Sequence, residues 1–172
     1  MPGLRKETEL FSQKFKGKLK KIDAKKILKD DDFAVTIIER HMEKSKIDIK
    51  NSQVIISGGY GVGSKENFNL LFDLADVLGA QVGASRAAVD AGFVEHERQI
   101  GQTGVTVRPK LYIACGISGA VQHRAGMDQS AQIISINTDI GAPINHIADY
   151  TIIGNVADVI PKMIKFYKKN SK

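Results

Sequence analysis

The segment Gln53-Val54-Ile55-Ile56-Ser57-Gly58-Gly59-Tyr60-Gly61-Val62-Gly63-Ser64 runs from a β-branched apolar stretch into a cluster of glycines and ends on a serine. That order predicts a strand, a tight turn and a helix entry. Ser64 can cap the helix, and Glu66 falls in its positive first turn. Phe68, Leu71, Phe72, Ala75 and Leu78 then recur on one helical face until Gly79 stops it. The pattern returns downstream. Gln81–Ala84 leads through Ser85 into a short helix at Arg86–Ala91. Leu111–Cys115 leads through Gly116-Ile117-Ser118-Gly119 into a helix near Ala120–Ala125. Ile133–Ile136 and Tyr150–Ile153 read as two further strands, and Val156–Lys169 as a closing helix with a basic end. Short apolar strands alternating with helices predict parallel βαβ units in an α/β, doubly wound sheet.

Length and composition agree with a single domain. The chain has 172 residues, 42% hydrophobic and 26% charged, the balance of a globular protein able to bury a core. No run of about 18 apolar residues predicts a membrane span. The N-terminus lacks the apolar stretch of a secretory signal. The single cysteine, Cys115, cannot build a disulfide framework, so a reducing, cytoplasmic setting is expected.

The net charge of +6 raises the question of nucleic acid. Residues 1–50 hold 14 Lys/Arg and 9 Asp/Glu, residues 51–161 hold 6 and 10, and residues 162–172 hold 5 lysines and no acid. The basic charge therefore sits at the two ends, with few aromatic neighbours to stack on bases, and no nucleic-acid partner is expected. Residues 1–50 form a basic lead-in, expected to add edge strands at 18–27 and 33–40, with a helix over 37–46 as the alternative; residues 51–172 form the domain proper.

Ligands of doubly wound sheets bind beyond the carboxyl ends of the strands. The turns to watch are therefore 58–63, 83–86, 116–119 and 137–139. The first has the spacing G-x-G-x-G, not the G-x-G-x-x-G dinucleotide fingerprint, and lacks the Lys-Ser/Thr of a P-loop. Its glycines allow close approach of backbone N–H groups to phosphate. Gly83-Ala84-Ser85-Arg86 adds a hydroxyl and a guanidinium fork, or is a cap serine followed by a surface arginine. Gly116-Ile117-Ser118-Gly119-Ala120 imitates a nucleophile elbow, with Ala120 where the second glycine belongs. Asp139 and His146 follow in the order of a hydrolase triad, a distant alternative. Cys115, ending an apolar strand, reads as inert core. His41, His96, His123 and His146 are scattered, so no metal is expected.

Three runs are more specific: Val82-Gly83-Ala84-Ser85-Arg86-Ala87-Ala88-Val89-Asp90-Ala91-Gly92, then Gln99-Ile100-Gly101-Gln102-Thr103-Gly104, then Leu111 through Cys115 and on through Gly116-Ile117-Ser118-Gly119-Ala120-Val121-Gln122-His123. Together they closely resemble the C-terminal, FAD-binding domain of electron transfer flavoprotein alpha subunits. Ala125-Gly126-Met127, Ile136-Asn137, Ala142-Pro143-Ile144 and Ala148-Asp149-Tyr150 fit the same pattern, so the resemblance covers about 51–163.

The resemblance implies a Rossmann-like parallel sheet holding FAD, and an electron carrier, not an enzyme in the strict sense. Tyr60 and Gly61 would line the cofactor. Ser85 and Arg86 would contact it, with Arg86 near the ring. Ile100, Gly101, Gln102, Thr103 and Gly104 would line the flavin, with the Thr103 hydroxyl near N5. Ser118, Gly119, Ala120, Val121, Gln122 and His123 would hold pyrophosphate and ring, with His123 at the N1–C2 carbonyl edge. Asn137, Asn155 and Val156 would serve the adenosine half. Cation or donor near N1–C2 would stabilise the reduced ring. The implied partners are a beta-type subunit, a donor dehydrogenase and a separate chain like the family's N-terminal alpha domain.

Tyr60 stands where the family usually has Arg, and Asn155 where it usually has Asp. The family's N-terminal domain has no counterpart in 172 residues, although Met1-Pro2-Gly3 is similar to its Arg-Pro-Gly exit step. That fits either a split subunit or an excised fragment. These departures leave a second reading open, a non-redox adenine-nucleotide module for AMP or NAD, or a scaffold.

Overall fold

A computed structural model describes residues 48–171, together with Lys20 and Asp23. The strands expected at 18–27 and 33–40 lie outside the described residues apart from those two positions. All elements below belong to the unit Lys44–Lys172.

Five strands form one parallel sheet: β1 (Val54–Gly58), β2 (Gln81–Ala84), β3 (Leu111–Cys115), β4 (Gln132–Asn137) and β5 (Tyr150–Ile153). Three helices lie in the connections, α1 (Lys65–Leu78), α2 (Arg86–Asp90) and α3 (Val121–Arg124), and α4 (Val156–Asn170) follows β5. The sheet order is β2-β1-β3-β4-β5. The chain steps outward from β1 to β2 and then returns to the other side of β1. The connections after β1 and β3 therefore leave in opposite directions, which makes the β1/β3 boundary the switch point of a doubly wound sheet.

The caps at Ser64, Gly79 and Ser85 are those expected, whereas Asn155, read from the sequence as serving the adenosine half, is a cap in the structure. Ser64 Oγ accepts from the Asn67 N–H at 3.2 Å, and Gly79 ends α1 with φ 64°. Ser85 Oγ accepts from the Ala88 N–H. Asn155 Oδ1 accepts from the Ala157 N–H at 2.9 Å and starts α4. α3 is only one turn, shorter than the expected 120–125, because no side chain caps Ala120. Three 3₁₀ turns, at Tyr60–Val62, His96–Arg98 and Pro143–His146, fall in stretches with no apolar period to mark them.

The central strands β1 and β3 read as nearly continuous apolar runs because both faces are covered, whereas the edge strand β5 is largely exposed. On one face Ile56, Ile113, Cys115 and Ile136 pack against Phe68, Leu71 and Leu74 of α1 and Val156 and Ile160 of α4. On the other, Ile55, Tyr112, Ala114 and Ile133 pack against Ile100, Val107, Ile117, Met127 and Ile144, from loops and short turns. One side of the sheet is thus covered by long helices and the other by loops. The loops leave room for a cavity above the strand ends. No described helix is long and apolar enough to cross a membrane.

Candidate functional site

The turns after β1 and β3 touch backbone to backbone. The Gly59 N–H donates to the Cys115 carbonyl at 2.8 Å and the Gly61 N–H to the Gly116 carbonyl at 3.0 Å. A Cβ at Gly59 would collide with the Gly116 carbonyl oxygen. The glycines after β1 therefore serve close packing of two loops, and their N–H groups already have acceptors. Open donors lie one strand over. Among the described residues, the backbone N–H groups of Ile117, Ser118, Gly119 and Ala120 have no hydrogen-bond acceptor. The carbonyls of the same segment are engaged: Ile117 by the Asn137 side chain at 2.9 Å, Ser118 by the Ile144 N–H at 3.1 Å.

Beside these donors lies a cavity of about 790 Å³, toward the upper end of the range for small-molecule sites. Its walls come from every strand end around the switch point. Tyr60 and Gly61 follow β1, and Ser85, Arg86 and Ala87 follow β2. Gly116, Ile117, Ser118 and Ala120 follow β3; Asn137 and Asp139 lie at the end of β4. The loop Gln99–Thr103 and the pair Gln122 and His123 close the remaining side, with Ala142 and Pro143.

The loop 99–105 is closed on itself and tied to the neighbouring turn. Ile100 N–H donates to the Ala84 carbonyl at 2.9 Å, Val105 N–H to Gln99 at 2.8 Å, and Gln102 N–H to Gln122 at 2.7 Å. Gly101 has φ 143°, and a Cβ there would lie 2.9 Å from the Gln122 carbonyl oxygen. This position therefore needs glycine.

His123 is 6% exposed and both ring nitrogens have partners. Nδ1 lies 3.0 Å from the Ile100 carbonyl, which can only accept, so Nδ1 carries the proton. Nε2 then accepts from the Tyr112 hydroxyl at 3.0 Å. Burial pushes the imidazole pKa down to about 4, only partly opposed by the Ile100 carbonyl. The ring is neutral at ordinary pH. The sequence reading has His123 as a free donor toward a ligand; in the structure its N–H points to the protein backbone. Among the described residues the one cationic side chain in the cavity wall is Arg86, whose Nε also pairs with Asp90 Oδ2 at 3.3 Å on an exposed surface.

Thirteen of the residues singled out from the sequence meet in this cavity: Tyr60, Gly61, Ser85, Arg86, Ile100, Gly101, Gln102, Thr103, Ser118, Ala120, Gln122, His123 and Asn137. Five others fall outside its lining. Gly104 turns the 99–105 loop, its N–H donating to Gly101. Gly119 has φ 88° and packs against the backbone of Ile144. Val121 is exposed, Asn155 caps α4, and Val156 is buried under the sheet. Among lining residues the sequence reading passed over, Asp90 had a visible signal, its i,i+4 spacing from Arg86. Gln99, 3% exposed, opens the run Gln99–Gly104 that carries the resemblance, which attaches no role to it. Of the hydrolase alternative, Ser118 and Asp139 line the cavity and His146 does not. The Asp139 carboxylate accepts from the Gly141 N–H at 2.8 Å instead of orienting a histidine. Cys115 is fully buried, which pushes its thiol pKa up to about 12. No group of three or more metal-ligating side chains occurs among the described residues.

Comparison with known proteins agrees with this architecture. Residues 48–128 match the family model of the electron transfer flavoprotein FAD-binding domain. The chain is similar to the electron transfer flavoprotein subunit alpha of Thermoanaerobacterium thermosaccharolyticum, 49% identical over 154 residues, covering 89% of this chain and 46% of the relative. It is similar to the protein FixB of Clostridium saccharobutylicum, 51% identical over 148 residues, covering 86% and 44%. It is also similar to the Bacillus subtilis subunit alpha, 49% identical over 136 residues, covering 78% and 42%. The chain spans less than half the length of these curated relatives. With the parallel five-stranded sheet, the matching segment and relatives at about half identity over most of the chain, this protein belongs to the electron transfer flavoprotein alpha family through its FAD-binding domain.

Proposed function

We propose that the cavity holds one FAD noncovalently and that the chain works as an electron carrier. The observation that carries this reading is the run of acceptor-free N–H groups at Ile117–Ala120, set against a roomy cavity at the switch point. Acceptor-free backbone donors of Ile117, Ser118 and Ala120, all in the cavity wall, suit a pyrophosphate, whose oxygens only accept. The rest of the wall suits a large planar ring. Ile100, Ile117 and Ala142 offer apolar contact, while Thr103 and Gln102 add polar groups. When bound, FAD supplies the electron chemistry; the protein binds, orients and tunes it. Arg86 would place positive charge beside the ring and favour its reduced, more negative form. The neutral His123 would hold the shape of the wall, its proton staying on Nδ1 toward Ile100.

On the same reading a beta-type subunit completes the carrier. A dehydrogenase donates the electrons, and a reducing, cytoplasmic compartment suits the buried thiol Cys115. The purified protein should be yellow and bleach with dithionite. Calorimetry with FAD, AMP and NAD is the discriminating test. FAD should bind with 1:1 stoichiometry and tightest; no bound flavin after reconstitution, or a preference for AMP, would sink the reading. Arg86→Ala should weaken FAD by roughly 10- to 100-fold, the scale of a hydrogen bond to a charged group, and lower its potential. An unchanged redox titration would refute that role for Arg86.

A further inference from the structure

The second half of α4 carries an exposed feature that the cavity does not use. The helix is amphipathic: Val156 and Ile160 are buried, and Val159, Met163 and Ile164 pack against the same core. From Val159 to Lys172 the chain has five lysines and no Asp or Glu. Lys162, Lys165 and Lys169 recur at i, i+3 and i+7, away from the buried face. Phe166 sits among them, one helical turn after Lys162 and one before Lys169. It is 70% exposed, and Tyr167 beside it is 42% exposed. Among the described residues none of Lys162, Lys165, Lys168 and Lys169 has an ion pair.

Lysines in the last turn of a helix are favoured by its dipole, but that field fades within a turn. It accounts for Lys168 and Lys169. It does not account for Lys162 and Lys165, which repel each other and Lys169 at helical spacing. Nor does it account for a phenylalanine left in water between them. A stripe of cations around an exposed aromatic is complementary to a surface that is anionic outside and apolar beneath. We propose that this face of α4 lies on an anionic lipid surface, its lysines at the head groups and Phe166 at the boundary of the acyl chains. The helix rests on the bilayer and does not cross it. Position favours lipid over a redox partner. α4 starts at the carboxyl end of β5 and packs back along α1, so Phe166 lies about 15 Å along the helix, toward the amino ends of the strands. The cavity opens at the carboxyl ends. A protein exchanging electrons with a ligand there has to reach the cavity, whereas a membrane held at the opposite end leaves it open. This choice of partner rests on the FAD reading; the lipid contact is tested without flavin.

The test is co-sedimentation of the full chain with vesicles of phosphatidylcholine alone or with about 30% phosphatidylglycerol. Each is run at low salt and at about 0.5 M salt, where screening cuts the reach of charge to a few ångströms. Wild type should bind the anionic vesicles at low salt, and neither the neutral vesicles nor the anionic ones at high salt. The triple variant Lys162→Gln/Lys165→Gln/Lys169→Gln should bind about 100-fold more weakly, roughly fivefold per charge. Phe166→Ser should bind about tenfold more weakly, through lost apolar contact. Lys162→Arg/Lys165→Arg/Lys169→Arg should match wild type. Should the triple Gln variant not fold, Phe166→Ser and the Arg variant carry the comparison. No binding to anionic vesicles, a triple Gln variant bound as tightly as wild type, or Phe166→Ser indistinguishable from wild type would overturn the proposal. So would a DNA oligonucleotide that strips the protein from vesicles at equal phosphate concentration, since the lysines would then belong to nucleic acid. Titration of the same protein with FAD is read separately: FAD bound without vesicles fails the lipid contact alone, and vesicles bound without FAD fail the cofactor reading alone.

Discussion

Acidification probes the buried chain Tyr112–His123–Ile100. In the folded protein His123 is neutral, held between a hydroxyl and a carbonyl, with a pKa pushed down to about 4 by burial. In the unfolded chain the same ring titrates near 6.5. At pH 7.5 both states are neutral at this residue, and it makes no pH-dependent contribution. As pH falls through 6.5 the unfolded chain takes up a proton that the folded one refuses, so stability drops. The loss grows until pH approaches 4 and then levels. A difference of roughly 2.5 pKa units corresponds to about 3 kcal/mol, a large share of a domain's stability. In the middle of the window the slope approaches about 1.4 kcal/mol per pH unit, one extra proton taken up on unfolding. Denaturant unfolding of wild type and His123→Gln between pH 7.5 and 4 isolates this group from the carboxylates common to both. Wild type should lose stability faster by that slope, even though His123→Gln is less stable at pH 7.5. Parallel curves would refute the buried, neutral histidine.

Two further substitutions check the fold around the site. Gly59→Ala should destabilise by about 2 kcal/mol or more, because its Cβ meets the Gly116 carbonyl and two turns must part; a denaturant midpoint within error of wild type would contradict that loop contact. Asn155→Ala should cost about 1 kcal/mol through loss of the α4 cap, while Asn155→Asp should be at least as stable, keeping the acceptor and adding a negative charge at a helix N-terminus. Thermal unfolding of both variants decides it.

The strands and long helices were legible because burial writes them into the sequence. Strands covered on both faces must be apolar throughout, as in Val54–Ile56 and Leu111–Cys115. A helix on one face must repeat its apolar residues, as Phe68, Leu71 and Ala75 do. The strand-end turns were legible for the same reason, since glycines and capping serines mark them, and most candidate residues meet in one cavity. Individual hydrogen bonds were not legible. Gly59 and Gly61 suggested free N–H groups, yet those donors are taken up by Cys115 and Gly116, more than fifty residues away. His123 suggested a donor to a ligand, yet its Nδ1 proton belongs to Ile100, 23 residues earlier. The bond from Gln99 to Thr103 was not legible either, because the two side chains become neighbours only when the loop closes.

Sequence alone thus determined the alternation of strands and helices, the family resemblance and the end of the sheet where a ligand belongs. The alternation and the ligand end follow from local propensity and apolar patterning, which each segment carries in itself; the resemblance rests on the particular runs 82–92, 99–104 and 111–123. Tertiary structure decided which donors remain open, where the histidine proton resides and which side chain Gln99 reaches. Each depends on a partner brought within about 3 Å from another part of the chain, and a hydrogen bond fades over a few tenths of an ångström that no sequence spacing specifies.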